Sequence, residues 1–162
     1  MSRPYAVLDI DATVADVRHR LHHLSKRPKD WGGFFAGCGR DPLLPEGMAV
    51  AERLAEDHEI VYLTGRPERL RQVTEKWLSR HGLPEGRLLM RGAGDQRPSA
   101  VMKLGRLRRL AQERAVAMLV DDDVRVCEAA RKAGFTVLWA DWALDSAAQP
   151  VLLDAQESEG RT

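Results

Sequence analysis

At 162 residues, with 44% apolar and 30% charged residues, the chain has the size and composition of a single soluble globular domain. No apolar run approaches the roughly 20 residues that cross a bilayer, and Arg3 and Pro4 stand where a secretion signal would carry an apolar segment. The net charge of +1 hides an uneven distribution, since residues 65–114 carry thirteen Lys and Arg against five Asp and Glu. Such a distribution favours a basic surface beside an acidic edge. The alternative is that these Lys and Arg side chains lie on solvated helix faces without a binding role.

Strands alternate with helical segments along the chain, a pattern that predicts a parallel sheet with helices on both faces. The predicted strands cover residues 5–9, 59–63, 87–90, 116–120 and 135–140. The predicted helices cover residues 45–56, 68–81, 98–111 and 124–133. One domain is expected over residues 1–153, with the polar residues 154–162 as a flexible tail.

Residues 14–45 are predicted to form a small insertion over the sheet edge, with a helix expected over residues 29–36. His19 and His23 would share one helix face, which raises a zinc site beside the alternative of a solvated face, but no third ligand is evident. The insertion also has a group of aromatic residues, which either pack it onto the sheet or stack on a nucleic-acid base. These residues are Trp31, Phe34 and Phe35.

The chain has two cysteines, Cys38 and Cys127, which are far apart and not in a metal-ligand spacing. This usage favours reduced thiols and a cytoplasmic protein, because disulfides persist in oxidising compartments. The sequence leaves a disulfide between them open. No membrane partner is expected, and the oligomeric state is not predicted.

Polar side chains follow three of the predicted strands where each strand ends. These residues are Asp9, Asp11, Thr64, Arg66, Asp121 and Asp122. Lys103 lies about one turn into the helix that precedes the fourth strand. Because the carboxyl ends of parallel strands share one edge of the sheet, these groups are expected to meet there. Converging carboxylates with cations around them suit a magnesium ion and the transfer of a phosphoryl group.

Three other classes of protein fit the sequence poorly. No GxxxxGK[ST] loop is present, which disfavours ATP-driven kinase chemistry, and no GxSxG motif indicates a serine hydrolase. A two-component receiver domain carries its phospho-accepting Asp at the end of the third strand. Here that strand ends in Leu88-Leu89-Met90-Arg91.

With these groups in this order, the chain resembles the haloacid dehalogenase-like (HAD) phosphatase superfamily. The four motifs that carry the resemblance are Asp9-Ile10-Asp11-Ala12-Thr13, Thr64, Lys103 and Asp121-Asp122. Within the superfamily, the chain is most similar to the phosphatase half of phage polynucleotide kinase/3′-phosphatase; the kinase half is absent. The similar stretches are Leu63-Thr64-Gly65-Arg66-Pro67, Thr74-Glu75-Lys76-Trp77-Leu78, Arg97, Val101-Met102-Lys103, Val120-Asp121-Asp122 and Arg131-Lys132-Ala133-Gly134. The resemblance implies a three-layer Rossmann-like α/β fold with a five-stranded parallel sheet and a minimal cap, here residues 14–45.

The resemblance also implies roles for the acidic residues. Asp9 would attack phosphorus and form an aspartyl-phosphate. Asp11 would protonate the leaving alcohol and then deprotonate the attacking water. Mg²⁺ would be held by the Asp9 carboxylate, the Asp11 backbone carbonyl and Asp122, with Asp121 assisting.

The phosphate ligands follow from the same resemblance. Thr64 and Lys103 would bind the transferring phosphoryl oxygens. Arg20 falls where the family places a phosphate-contacting arginine, and Arg66 is a second candidate for that phosphate or a flanking one. For both arginines, an ordinary surface cation is the alternative.

Two positions depart from the family pattern. Ala12 stands where Gly is common, and it would be strained if the backbone there required a positive φ. Ser99 stands where an acidic partner of the lysine is expected, which would leave Lys103 less anchored. Magnesium-dependent hydrolysis of DNA or RNA 3′-phosphate ends in nucleic-acid repair is the expected function. The alternatives are a phosphatase of small nucleotides or other phosphomonoesters, and an inactive phosphate-binding or nucleic-acid-binding domain.

Overall fold

The computed structural model describes residues 2–143 and 151–152. Five strands form one parallel sheet in the order β3-β2-β1-β4-β5. The strands are β1 (Tyr5–Leu8), β2 (Glu59–Pro67), β3 (Gly86–Arg91), β4 (Val116–Asp121) and β5 (Val137–Trp139). The predicted α/β class with a five-stranded parallel sheet is therefore confirmed.

Helices cover both faces of this sheet. They are α1 (Trp31–Ala36), α2 (Pro45–Asp57), α3 (Arg71–Arg80), α4 (Ser99–Glu113) and α5 (Val124–Lys132), with 3₁₀ turns at Arg18–Ser25, Cys38–Arg40 and Glu68–Leu70. Successive residues of a strand point to opposite faces, so Ala6 and Leu8 of β1 lie in one apolar cluster while Tyr5 and Val7 lie in the other. The first cluster packs under α1, α2 and α3, and the second under α4 and α5.

Several predicted boundaries change. The second strand continues to Pro67, four residues past the prediction, while β5 is only three residues long. The helix predicted from residue 68 begins as a 3₁₀ turn, because the α-helical bonding pattern starts only at Arg71. The helix predicted over 29–36 is Trp31–Ala36, and the tail predicted at 154–162 lies outside the described residues.

The insertion is part of the main core. Trp31, Phe34 and Phe35 are buried in the same cluster as Ala6 and Leu8 of β1. The aromatic group therefore packs the insertion onto the sheet, and its buried rings offer no face on which a nucleic-acid base could stack.

The two cysteines are free and buried. In the described part of the chain, no helix has both the length and the apolar character to span a membrane.

Candidate active site

Asp9 lies at the carboxyl end of β1, where the chain leaves the sheet. Its backbone N–H donates to the carbonyl of Val120 at 2.9 Å, which holds Asp9 beside the end of β4. Lys103, one turn into α4, places its Nζ 2.9 Å from Asp9 Oδ1 and 2.7 Å from Asp121 Oδ2. Burial by itself would lower the pKa of Lys103, but Asp121 and Asp9 raise it, so the amine stays charged between them.

Three buried carboxylates meet at this point. Asp9, Asp121 and Asp122 each offer one oxygen, and these oxygens lie within 4.8 Å of one another. Burial and the charge of Asp9 raise the pKa of Asp121 to about 7, and the pKa of Asp122 rises well above its usual range for the same reasons. Within the described residues, no N–H or O–H donor reaches either oxygen of Asp122. A hard divalent cation such as Mg²⁺ fits this cluster, because it would neutralise the acids and give the orphaned oxygens a partner.

The carboxylate of Asp11, two residues further on, is held by a separate set of cations. Its Oδ1 accepts hydrogen bonds from Arg66 at 2.6 and 3.0 Å and from Arg20 at 2.8 Å. Burial alone would raise the pKa of Asp11, but the charges of Arg66 and Arg20 outweigh it and lower the pKa to about 2. Its Oδ2 is buried with no hydrogen-bond partner among the described residues. The Asp11 side chain is thus not a member of the three-carboxylate cluster.

Asp41 holds both arginines in place. It accepts two hydrogen bonds from Arg20, at 2.8 and 2.7 Å, and one from Arg66 at 3.0 Å. His19 contacts the same carboxylate at 2.7 Å, and Trp77 donates to the Asp41 carbonyl at 2.8 Å. The sequence does not predict a role for Asp41, because this residue follows a 3₁₀ turn and belongs to no periodic pattern. The dipeptide Asp41-Pro42 after a Gly-rich segment is its one local sequence feature.

The remaining predicted residue of β2 is Thr64, which is buried at the same edge of the sheet. Its Oγ1 accepts a hydrogen bond from the backbone N–H of Arg66 at 3.1 Å, which leaves the hydroxyl hydrogen available to an incoming anion. Thr74 on α3 accepts a further hydrogen bond from Arg66, donated by Nη1 at 3.1 Å.

The turn that connects Asp9 and Asp11 to the insertion is tightly packed. Ala12 has φ +62°, the left-handed conformation in which an L side chain is strained. The carbonyl of Thr13 accepts a hydrogen bond from Trp142 at 2.9 Å. Gly47 of α2 lies so close that a Cβ there would come within 2.0 Å of this oxygen.

Comparison with protein families agrees with a site for phosphoryl transfer at this cluster of carboxylates and cations. The model of the polynucleotide kinase PNKP phosphatase domain, an HAD family, matches residues 4–142. The chain belongs to this family. It is therefore an HAD-type phosphatase domain, and the resemblance seen in its sequence is confirmed. A comparison with curated protein sequences found no match.

Solved structures share the fold of this PNKP-type domain. One is a chain of the Pnkp1/Rnl/Hen1 RNA repair complex, with TM-score 0.71 and 20% identity over 85% of this chain and 42% of that chain. The domain thus spans less than half of that chain. A haloacid dehalogenase-like hydrolase from Streptococcus pneumoniae matches with TM-score 0.60 and 16% identity, over 96% of this chain and 92% of that one. The HAD-hydrolase YfnB from Bacillus subtilis bound to magnesium matches with TM-score 0.58 and 11% identity, over 86% and 89%.

All of the residues predicted for the site lie at this edge of the sheet in the PNKP-type domain. They are Asp9, Asp11, Arg20, Thr64, Arg66, Lys103, Asp121 and Asp122. Arg20 and Arg66 are fully buried ion-pair partners, so their alternative as surface cations does not hold.

One expectation about this edge of the sheet is wrong. Lys103 is firmly held by Asp9 and Asp121 although Ser99 replaces an acid, and Ser99 instead accepts a hydrogen bond from Arg91. His19 and His23 do not converge on a metal, because each contacts a different carboxylate.

Asp123 caps the start of α5. Its side chain accepts a hydrogen bond from the backbone N–H of Arg125 at the start of α5. Its own backbone N–H donates to Asp121 Oδ1 at 2.9 Å. Both oxygens of Asp121 are thereby engaged, one by this N–H and one by Lys103, which distinguishes Asp121 from Asp122.

Proposed function

We propose that this phosphatase domain hydrolyses 3′-phosphate ends of DNA or RNA through an aspartyl-phosphate on Asp9, with magnesium as its cofactor. The observation that carries the proposal is the separation of two carboxylates. Asp9 and Asp11 are two residues apart, yet Asp9 pairs with Lys103 while Asp11 pairs with Arg20 and Arg66. Groups with different partners can take different roles, one as nucleophile and the other as acid and base.

In the first step, a carboxylate oxygen of Asp9 attacks phosphorus as the bond to the leaving alcohol breaks. Lys103 Nζ, 2.9 Å from Asp9 Oδ1, is within reach of the phosphoryl oxygens that gather there. The Thr64 hydroxyl donates to another of these oxygens. Both groups are buried, so their attraction for the transferring anion is little screened by water.

Asp11 moves the proton in both half-reactions. In the resting site, Arg66 and Arg20 keep it ionised, with a pKa of about 2. A substrate phosphate offers these guanidinium groups a second anionic acceptor. As they turn from Asp11 to the phosphate, the pKa of Asp11 rises and its carboxylate takes up a proton from solvent. Asp11 then donates a proton to the leaving oxygen and later takes one from the water that hydrolyses the intermediate.

Asp9, Asp122 and the backbone carbonyl of Asp11 are the ligands that we assign to Mg²⁺, with Asp121 assisting. When bound, Mg²⁺ supplies charge neutralisation that allows an anionic nucleophile to approach a phosphate. Asp121 assists by fixing Lys103, since its Oδ2 lies 2.7 Å from Nζ.

A polynucleotide end is the substrate best supported. The chain belongs to the PNKP phosphatase family, and one of its structural neighbours is part of an RNA repair complex. The basic stretch of residues 65–114 adds positive charge around the site. We also assign the domain to the cytoplasm, where its two free cysteines would stay reduced.

Phosphate release by the wild type and by Asp9→Asn tests the proposal. The substrates are a 3′-phosphorylated oligonucleotide, the same oligonucleotide with a 5′-phosphate, and a nucleoside 3′-monophosphate, each with Mg²⁺ and with chelator. We expect magnesium-dependent release, fastest from the 3′-phosphorylated oligonucleotide and abolished in Asp9→Asn. The matched control is Asp57→Asn on the exposed face of α2, which should leave the rate unchanged.

Each alternative predicts a different result in this assay. A preference for the nucleoside monophosphate would favour a phosphatase of small nucleotides. No magnesium-dependent release from any of the three esters would indicate an inactive binding domain and would end the enzymatic proposal.

A further inference from the structure

A narrow groove opens beside the candidate active site, on the β3 side of the sheet. It has a volume of about 190 Å³ and is lined by Phe35, Pro67, Arg69, Arg91 and the loop of residues 92–96. This volume is below the range of about 300–1,000 Å³ in which drug-sized ligands bind. This β3 groove therefore suits a small group, such as one phosphate.

Arg91 brings a buried positive charge to the β3 groove. It is 3% exposed, and its guanidinium donates to the carbonyl oxygens of Gly65, Asp95 and Arg97 and to the Ser99 hydroxyl, all at 2.8–3.2 Å. These four acceptors are neutral. The Asp95 carboxylate lies 3.8 Å from Nη1, but Arg97 already binds it at 2.8 and 3.0 Å. The charge of Arg91 is thus weakly compensated, and its burial lowers its pKa.

Arg69 brings a second positive charge at the rim. Its Cζ lies 5.5 Å from the centre of the Phe35 ring, and its side chain is exposed. Across residues 2–143 and 151–152, no carboxylate forms an ion pair with it. Phe35 itself is 3% exposed, so it supports Arg69 and offers no open face to a base.

The loop on the other side of the β3 groove lets a bulky chain come close. Its tip is Gly92-Ala93-Gly94, and the N–H of Asp95 donates to the Gly92 carbonyl at 3.1 Å to close a turn. Gly94 has φ +77°, and a Cβ at Gly92 or Gly94 would meet no atom within 4 Å. Small residues beside open space permit a ligand backbone to approach.

The β3 groove and the phosphoryl site share two structural supports. Arg91 Nε donates to the carbonyl of Gly65, the residue between Thr64 and Arg66. Arg91 Nη2 donates to Ser99, one helical turn before Lys103 on α4. A chain with one phosphate at Asp9 would therefore have its neighbouring backbone next to the β3 groove.

We propose that the β3 groove binds a backbone phosphodiester of the single strand whose terminal 3′-phosphate occupies the active site, with Arg69 and Arg91 as its cationic ligands. This assignment rests on the proposed function. It makes length a determinant of specificity, since a nucleoside 3′-monophosphate has one phosphate and cannot fill both sites.

The test compares two groove variants with two matched controls on the exposed face of α4. Arg69→Ala removes a rim charge, and Ala93→Glu adds a negative charge at an exposed loop position. The controls are Arg109→Ala and Ala111→Glu, which make the same changes about 15–18 Å along α4 from Ser99. Arg91 is left intact, because its bonds to Asp95 and Arg97 also hold the loop. The substrates are a 3′-phosphorylated single-stranded oligonucleotide and a nucleoside 3′-monophosphate.

We expect Arg69→Ala to lower kcat/KM for the oligonucleotide about fivefold to tenfold, through loss of a charged phosphate contact. Ala93→Glu should lower it by at least as much, because the added carboxylate repels the phosphodiester. The slope of log(kcat/KM) against log salt should fall by about 0.7 in Arg69→Ala, the value for one phosphate contact to a single strand. Hydrolysis of the monophosphate should change less than about twofold in both variants, because only the phosphoryl site holds it. The two controls should match the wild type.

Two kinds of failure can be told apart. If the wild type cleaves the oligonucleotide and both groove variants match it in rate and salt dependence, the β3 groove assignment is wrong while the proposed function stands. Equal losses on both substrates would show a general defect and would also reject the assignment. A wild type that hydrolyses the monophosphate but not the oligonucleotide would overturn the proposed function, and the assignment with it.

Discussion

Arg66 donates two hydrogen bonds to one oxygen of Asp11, at 2.6 Å from Nη2 and 3.0 Å from Nε, while its Nη2 also contacts Asp41 at 3.0 Å. One guanidinium thus joins two buried carboxylates. The pKa of Asp11, lowered to about 2, means that the resting site holds an ionised Asp11 at neutral pH. A substrate phosphate that binds Arg66 competes with Asp11 for it, so that binding and proton transfer are coupled through this side chain.

Replacing Arg66 by Lys should separate charge from geometry. Lysine keeps the positive charge but cannot reproduce the fixed donor geometry of the guanidinium, so kcat/KM should fall by about 100-fold. The loss should be equal for an oligonucleotide and a nucleoside monophosphate, because both place the same phosphoryl group here. Steady-state kinetics measure it, with Arg108→Lys on the exposed face of α4 as the control. Activity within about twofold of wild type would remove Arg66 from the phosphate site.

Asp41→Asn should damage both stability and activity. The change leaves Arg20 and Arg66 buried with one carboxylate fewer, and breaking a buried ion pair in this way costs about 3–5 kcal/mol. Urea unfolding measures the free energy, and KM should rise because the two guanidinium groups lose their fixed orientation. Asp41→Glu should restore part of the activity. The exposed control Asp57→Asn should change neither the free energy of unfolding nor the kinetics. If Asp41→Asn also left both unchanged, Asp41 would not position the arginines.

The stability of the metal-free protein should fall as pH rises from about 4 to about 7. The pKa of Asp121 is raised from 3.8 to about 7 in the folded protein, so in this window the folded state binds protons that the unfolded chain has released. Because magnesium needs the ionised carboxylates, its stabilising effect should be larger at about pH 8 than at about pH 6. Thermal unfolding with Mg²⁺ and with chelator at both pH values measures this. An equal magnesium effect at the two pH values would contradict the expectation.

Asp122→Asn should stabilise the metal-free protein and remove the response to magnesium. The substitution replaces a carboxyl group whose ionisation is opposed by burial and by the neighbouring Asp9 and Asp121, and it also takes away a metal ligand. At 100 times the dissociation constant, Mg²⁺ should add about 2.7 kcal/mol to the wild type and almost nothing to the variant. Paired melting curves provide the measurement. A full magnesium shift in Asp122→Asn would place the ion elsewhere.

Gly47→Ala should distort the turn that carries Asp11. A Cβ at Gly47 would lie 2.0 Å from the carbonyl oxygen of Thr13, so the backbone must shift, at a cost of about 1–3 kcal/mol. The rate of hydrolysis should fall with it, since Thr13 is two residues from Asp11. Gly105→Ala on α4 is the control, because nothing lies within 4 Å of its Cβ position and alanine favours a helix by about 1 kcal/mol. Two variants of equal stability would contradict this packing argument.

The strand-end residues could be predicted because a parallel sheet places the carboxyl ends of its strands at one edge. Asp9, Thr64 and Asp121 needed only the apolar runs before them to be located. Asp41 and Arg91 escaped prediction, since their importance comes from contacts made across the fold and not from a local pattern. Arg91 ends an ordinary strand, and only the folded chain shows it beneath the 92–96 loop.

The two departures from the family pattern, Ala12 and Ser99, have different structural consequences. Ala12 takes a positive φ, so the condition under which a residue with a Cβ is strained is met. Ser99, in contrast, does not loosen Lys103. Asp121 and Asp9 hold the amine from neighbouring strand ends, which sequence distance could not reveal.

Trp31, Phe34 and Phe35 join the insertion to the core of the sheet, and Phe34 also lies under Arg20, whose Cζ is 4.2 Å from the ring centre. Residues 14–45 are therefore not a module that could be removed or exchanged for another cap. Deleting them would expose the core and strip Asp11 of Arg20.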